Sequence, residues 1–231
     1  MKCSRCQAAS SASMESSELT KFSDDVKIKI FRCKLCNSCS GLEFRGLAVS
    51  TEDILVRDAT LNGWLQAETD LDKVVHYTLS QILYKEHEPP NENELEVVFD
   101  VPDPLDVIKI LWIDGKAVGF YTVKPKGTTI EETFQVYCMA TLDTAYIRKQ
   151  FRRQGHCTRM ITDLLQSYPE QDIGFSSPIS NSMKKVLKKY LTQQPELQNR
   201  FWEIEGAGEE GQRKLIWYSI LKETNRKRKH T

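Results

Sequence analysis

The hydrophobic period of this chain changes across one short stretch, Arg152-Arg153-Gln154-Gly155-His156-Cys157. Residues 133–147 before it are patterned as a long strand region, whereas Met160, Ile161, Leu164 and Leu165 after it recur at helical spacing across residues 154–168. A strand that passes through a glycine-containing loop into a helix commits this part of the chain to an α/β arrangement. It also creates an anion site, because the first N–H groups of a helix lack internal partners and the helix dipole adds favourable potential. Gly155 allows close approach to that backbone, and Arg152 and Arg153 supply forked positive charge.

The flanking segments extend the pattern. Val107–Ile113 and residues 117–123 are rich in β-branched and aromatic side chains and flank Asp114-Gly115, a dipeptide suited to a tight hairpin. Lys124-Pro125-Lys126-Gly127 then turns the chain into the 133–147 strand. Upstream, residues 26–31 alternate as a half-buried strand, and Leu71, Val74, Val75, Leu79, Ile82 and Leu83 place one apolar stripe along a helix over residues 70–88. His76 and His87, on or near that stripe, read as packing or surface histidines, and residues 89–94 read as a loop. Downstream come a strand at 172–176, an amphipathic helix at 180–191 carrying Met183, Val186, Leu187 and Tyr190, and a closing strand pair at 201–204 and 215–221. The order predicts an α/β (α+β) domain over residues 26–223, with a central mixed, largely antiparallel sheet flanked by helices. Residues 1–25 read as a disordered Ser/Cys-rich arm, and 224–231 as a basic tail.

Lys plus Arg equals Asp plus Glu at 32 each, so no global field draws the protein to nucleic acid or an anionic membrane. No apolar run approaches the roughly 20 residues that span a bilayer, so membrane insertion is not expected. Residues 1–20 lack the apolar centre of a secretory signal, which argues for reduced cysteines; their odd number, seven, agrees. Cys3-x-x-Cys6 and Cys33-x-x-Cys36-x-x-Cys39 could offer four thiolates to zinc, but the interval between Cys6 and Cys33 exceeds that of a zinc ribbon. Unligated thiols are the expectation, and no metal site is assigned. Arg226-Lys227-Arg228-Lys229 reads either as a nuclear-import signal or as a solvated terminus, with too few phosphate contacts and no stacking surface for specific nucleic-acid binding.

The run from Ala145 to Cys157 resembles the GNAT superfamily of N-acetyltransferases, whose acyl-CoA signature is Arg or Gln, two residues, Gly, one residue, then Gly or Ala. A second resemblance, carried by Lys109-Ile110-Leu111-Trp112, Ala117 to Pro125, Leu142-Asp143-Thr144 and Trp202 to Gly206, is to the family of the soluble lamin-associated protein. The first implies acetyl-CoA as cofactor, held by Arg152, Arg153, Gln154, Gly155, His156 and Cys157, with the backbone of Ala145 and Ile147 along the pantetheine arm. It also implies Tyr190 as the catalytic acid. The second implies a nuclear location, at the interior or the envelope, with a lamina protein as partner; the cytoplasm is the alternative.

The motif also departs from the superfamily. Cys157 stands for the final small residue, Lys149 for a frequent proline and Arg153 for a frequent glycine, so a thiol is expected to intrude where phosphate would meet the helix. Glu131, Glu132 and Asp143 lie near the central strand as bases, with no motif selecting one. Cys138 and Cys157 lack the partners of a nucleophilic cysteine and read as packing thiols. Two readings stand: a degenerate, non-catalytic acetyltransferase-like module, and an active acyl-CoA-dependent N-acyltransferase acting on an amine or protein lysine. The departures favour the first.

Overall fold

The computed structural model describes residues 14–21 and 27–228, with side chains described from 27 to 223. The chain forms two compact units. One comprises residues up to Pro89 together with Ile110–Gly119; the other comprises Pro90–Lys109 together with Phe120 onward.

In the first unit, strands β1 (Met14–Lys21), β2 (Lys27–Cys33), β3 (Cys39–Phe44) and β4 (Leu47–Ser50) form a four-stranded antiparallel sheet in chain order. The Lys-Ile-Lys-Ile alternation that opens β2 buries Ile28 and Ile30, as a period of two requires. Of the arm expected over residues 1–25, positions 14–21 are β1, while 1–13 and 22–25 lie outside the described residues. A short strand β5 (Gly63–Gln66) precedes helix α1 (Asp70–Tyr77). Thr69 and Asp72 close a reciprocal capping box at its start, and the helix runs on as a π-helix over Thr78–His87. The predicted stripe is buried here, through Val74, Val75, Leu79, Ile82 and Leu83.

Strands β6 (Val107–Ile113) and β7 (Lys116–Lys124) meet at Asp114-Gly115. Both turn residues are left-handed, with φ of 48° and 74°, the requirement of a type I′ hairpin. A Cβ at Gly115 would sit 2.6 Å from the Asp58 carbonyl oxygen, so glycine is needed for space as well as for dihedral.

The second unit holds β8 (Ala140–Ile147), β9 (Ile173–Ser176), β10 (Phe201–Ile204) and β11 (Arg213–Leu215), with helices α2 (His156–Ser167), α3 (Asn181–Gln193) and α4 (Ile216–Arg228). Strands β5 to β11 form a seven-stranded sheet in the order β11-β10-β9-β8-β7-β6-β5. It is mixed: β8, β9 and β10 run parallel, and β10 and β11 antiparallel. The predicted fold class, a mixed and largely antiparallel sheet flanked by helices, is the one observed.

Three expectations fail locally. The strand predicted from residue 133 begins only at Ala140, because residues 127–137 close on one another: Tyr137 N–H donates to the Thr128 carbonyl and Gly127 N–H to that of Tyr137. Residues 216–221, predicted as strand, begin α4; Ile216 and Ile220 are buried four residues apart, a helical interval that a short apolar run does not separate from a strand. Strands β3, β4 and β5 went unpredicted: Cys39-Ser40-Gly41 and Gly63 carry the turn composition that argues against strand, and β4 is only four residues long.

Candidate ligand site at the end of strand β8

The geometry lies within the second unit. Strand β8 pairs with β9 only at Ala140↔Ile173, Thr141↔Gly174 and Leu142↔Phe175. Strand β9 ends at Ser176, whereas β8 continues through Asp143, Ala145 and Ile147, so the two parallel strands part company at their C-terminal ends. Such ends are where open α/β sheets collect ligands. At the base of the opening, the Ser176 hydroxyl donates to Asp143 Oδ1 at 2.6 Å.

After Ile147 the chain makes a 3-10 turn (Lys149–Phe151), and then Arg153 and Gly155 adopt left-handed φ of 67° and 79°. Gly155 is the N-cap of α2, and no side chain caps that helix. Its first amides therefore carry the unsatisfied donors expected of an anion site. A Cβ at Gly155 would meet only Arg159 Nη1, at 3.7 Å.

The predicted cofactor residues divide by geometry. Arg153 and Gln154 are exposed. Arg152 folds back: its Nε donates to the Ile147 carbonyl at 2.7 Å, with the guanidinium carbon 6.0 Å from the centre of the Tyr146 ring. The Ile147 carbonyl is thus already engaged. Arg159, unforeseen in the sequence, donates to the Gln154 carbonyl at 3.1 Å and to His156 Nδ1 at 2.8 Å. That contact puts the His156 proton on Nε2, which is buried without a hydrogen-bond partner. Burial first, then the Arg159 charge, holds this imidazole below its ordinary pKa. The Cys157 thiol turns to α3, 3.8 Å from Met183 Sδ, and burial pushes its pKa up to about 11. Its side chain is thereby placed against α3.

Tyr190 is brought to Thr162, hydroxyl to hydroxyl at 3.5 Å, with Thr162 exposed and Tyr190 half-buried. From Asn181 at the head of α3, Tyr190 lies roughly 14 Å along the axis at ~1.5 Å per residue. Glu131 and Glu132 are exposed on the turn between β7 and β8, and Cys138 is exposed, its thiol 3.7 Å from the Val136 carbonyl. Among the described residues no group of three or more His, Cys, Asp or Glu is placed to hold a metal. No helix among them is long and apolar enough to cross a membrane.

Two polar clusters escaped the sequence reading. Asp163 of α2 accepts from Lys109 Nζ at 2.9 Å and from the Tyr121 hydroxyl in a very short bond, and Lys109 also reaches Ser167 Oγ at 3.1 Å. This fixes α2, and with it the Gly155 loop, to β6 and β7. Burial, then the bond to Asp163, raises the Tyr121 pKa. In the second cluster, Lys124 Nζ lies 2.5 Å from Asp103 and 2.8 Å from Asp106. The Tyr137 hydroxyl feels Asp143, Lys124, Asp106 and Asp103 together, although burial dominates its raised pKa. The only sequence signal for that cluster was the turn-forming run Pro102-Asp103-Pro104.

No family model matches the chain. It is similar to Protein FAM169B of Mus musculus, 34% identical over 182 residues that make up 77% of this chain and 53% of that protein. It is also similar to human Protein FAM169BP, 32% identical over 114 residues, 48% of this chain and 59% of the relative. The chain thus spans between half and three-fifths of the length of these relatives. Among solved structures, the crystal structure of an acetyltransferase from Vibrio fischeri is 26% identical, covering 48% of this chain and 93% of its own, and superposes loosely, with a TM-score of 0.32.

Proposed function

We propose that this chain is an acetyltransferase-like module that holds an acyl-CoA but lacks an assembled acid–base pair, and that it works in the nucleus. One observation carries the reading: β8 outruns β9 and delivers the chain to the uncapped, glycine-led start of α2. The amides of His156, Cys157 and Thr158 would take phosphate oxygens, with Arg153 and Arg159 adding positive charge. The unpartnered Nε2 proton of His156 is a buried donor at the same helix start. The backbone of Ala145 would take the pantetheine arm, and the Ile147 carbonyl could join only after Arg152 lets go.

When bound, acetyl-CoA supplies a thioester carbonyl at which an amine can be acylated. An amine acceptor needs a group to remove its proton and another to protonate the departing thiolate. Asp143 is engaged by Ser176, and Tyr190 lies far along α3, which supports a non-catalytic module. The alternative, an active N-acyltransferase, draws on Asp143 alone, because its carboxylate stands where the strands part.

Calorimetric titration with acetyl-CoA tests the proposal. Micromolar binding is expected, weakened at least about tenfold in Gly155→Glu, where a carboxylate would oppose the helix start; absence of heat at high micromolar ligand would sink it. Steady release of CoA thiol in the presence of a lysine peptide would instead establish the transferase. For location, a reporter that leaves the nucleus once residues 226–229 are deleted is expected, and one that stays would remove the import role. A lamina protein as partner is proposed from the resemblance described above, and co-purification of lamins with the tagged protein checks it.

A further inference from the structure

The segment between the π-helix and β6 combines two properties that the ligand site does not use. Glu92, Glu94, Glu96, Asp100, Asp103 and Asp106 give it six carboxylates and no basic residue between 90 and 106. Interleaved with them, Leu95, Val97, Val98, Val101 and Leu105 are exposed, Leu105 to 67% and Val98 to 52%. Exposed apolar side chains scattered singly need no explanation, but a contiguous run of them does.

The run is held in place at several points. Asn91 N–H donates to Glu96 Oε2 at 2.9 Å and Glu96 N–H to the Asn91 carbonyl at 3.1 Å, closing its start. Phe99 packs edge-on against Phe120, ring centres 6.0 Å apart. At its far end Asp103 N–H donates to Asp106 Oδ2 at 2.9 Å, and both aspartates hold Lys124. Asp106 Oδ1 is buried with no hydrogen-bond partner. The strap is therefore a preformed surface, apolar and anionic at once, and it ends at Lys124, whose charge also interacts with Asp143 at the β8 opening.

We propose that residues 92–106 are a docking surface for a basic peptide segment of another protein, one in which Lys or Arg alternates with small apolar residues. Charge complementarity selects this occupant: the carboxylates repel nucleic acid and anionic lipid, whereas interleaved apolar contacts require more than a polycation. The strap leads such a peptide toward Asp143. That last consequence, presentation of a lysine amine at the opening, rests on the acyl-CoA reading; the docking itself does not.

Fluorescence anisotropy with a labelled peptide repeating Arg-Val-Lys-Ala provides the test, with its Glu-Val-Asp-Ala counterpart and phosphatidylcholine vesicles as controls. Saturable binding of the basic peptide alone is expected, weakened at least about tenfold by Glu92→Lys/Asp100→Lys and separately by Val98→Ser/Val101→Ser. All four positions are exposed, and an unchanged thermal melt would verify the fold of each variant. Absence of binding, equal binding of the acidic peptide or of vesicles, or unchanged affinity in either folded variant would overturn the proposal. Since no acyl-CoA is present, failure here leaves the calorimetric result standing, and the reverse is equally true.

Discussion

Asp163 shows how much one side chain can decide in this protein. It receives two donors from neighbouring strands, Lys109 and Tyr121, and thereby fixes the helix that begins at Gly155. Tyr121→Phe removes one bond to a carboxylate that keeps its lysine, so a loss of about 1–2 kcal/mol is expected in urea unfolding. Lys109→Met leaves that charge half-buried with a hydroxyl alone, and about 2–3 kcal/mol is expected. If the two losses simply added in the double variant, Asp163 would not couple them. Gly174 decides by its size instead. A Cβ there would lie 2.5 Å from Thr141 Oγ1, so Gly174→Ala should cost roughly 1–3 kcal/mol by displacing the β8–β9 pairing. A thermal melt unchanged by this methyl would contradict the Thr141↔Gly174 register.

At the scale of elements, α1 and its π-helical continuation carry a buried imidazole. Burial lowers the His76 pKa to about 3 from an ordinary value of about 6.5. The neutral form is the one that fits the fold, so its contribution is complete above about pH 6.5 and is lost as pH falls toward 3, with a limiting slope of ~1.4 kcal/mol per unit. Unfolding free energies between pH 7 and 5 should fall in the native protein and fall less in His76→Phe; equal slopes would remove His76 from the acid response. The same helix was legible in the sequence, as were the Asp114-Gly115 hairpin and α2, because each rests on period or turn chemistry local to the chain. Strands β3 to β5 were not legible, since β3 and β5 open on turn-type residues and β4 and β5 are only four residues long, too short for a period of two to register. The Gly155 loop was visible as a motif, but the fold-back of Arg152 and the role of Arg159 were not. An arginine three residues from a glycine gives no sign of whether it will face a ligand or a carbonyl.

For the whole molecule, the assignment of residues 110–119 to the first unit matters, because it makes neither unit a continuous piece of chain. Ile110, Leu111, Trp112, Ala117 and Val118 are buried. A fragment beginning at Pro90 would carry these side chains without the first-unit residues that cluster with them, and it should bind a hydrophobic dye strongly where the entire chain does not; a well-dispersed, dye-silent fragment would refute this. The balance of charge, 32 against 32, leaves recognition to local features such as the acidic strap and the arginines near α2. The unequal lengths of β8 and β9 supply a feature of another kind. Most sheets have their unsatisfied rims on the outside, where any passing strand can add to them. Here β8 runs on to Ile147, past Leu142, the last residue it pairs with β9, so part of its edge lacks that partner in the middle of the sheet order rather than at its margin. The backbone groups along such an edge match a thin, extended molecule with alternating donors and acceptors, the same pattern a neighbouring strand would present.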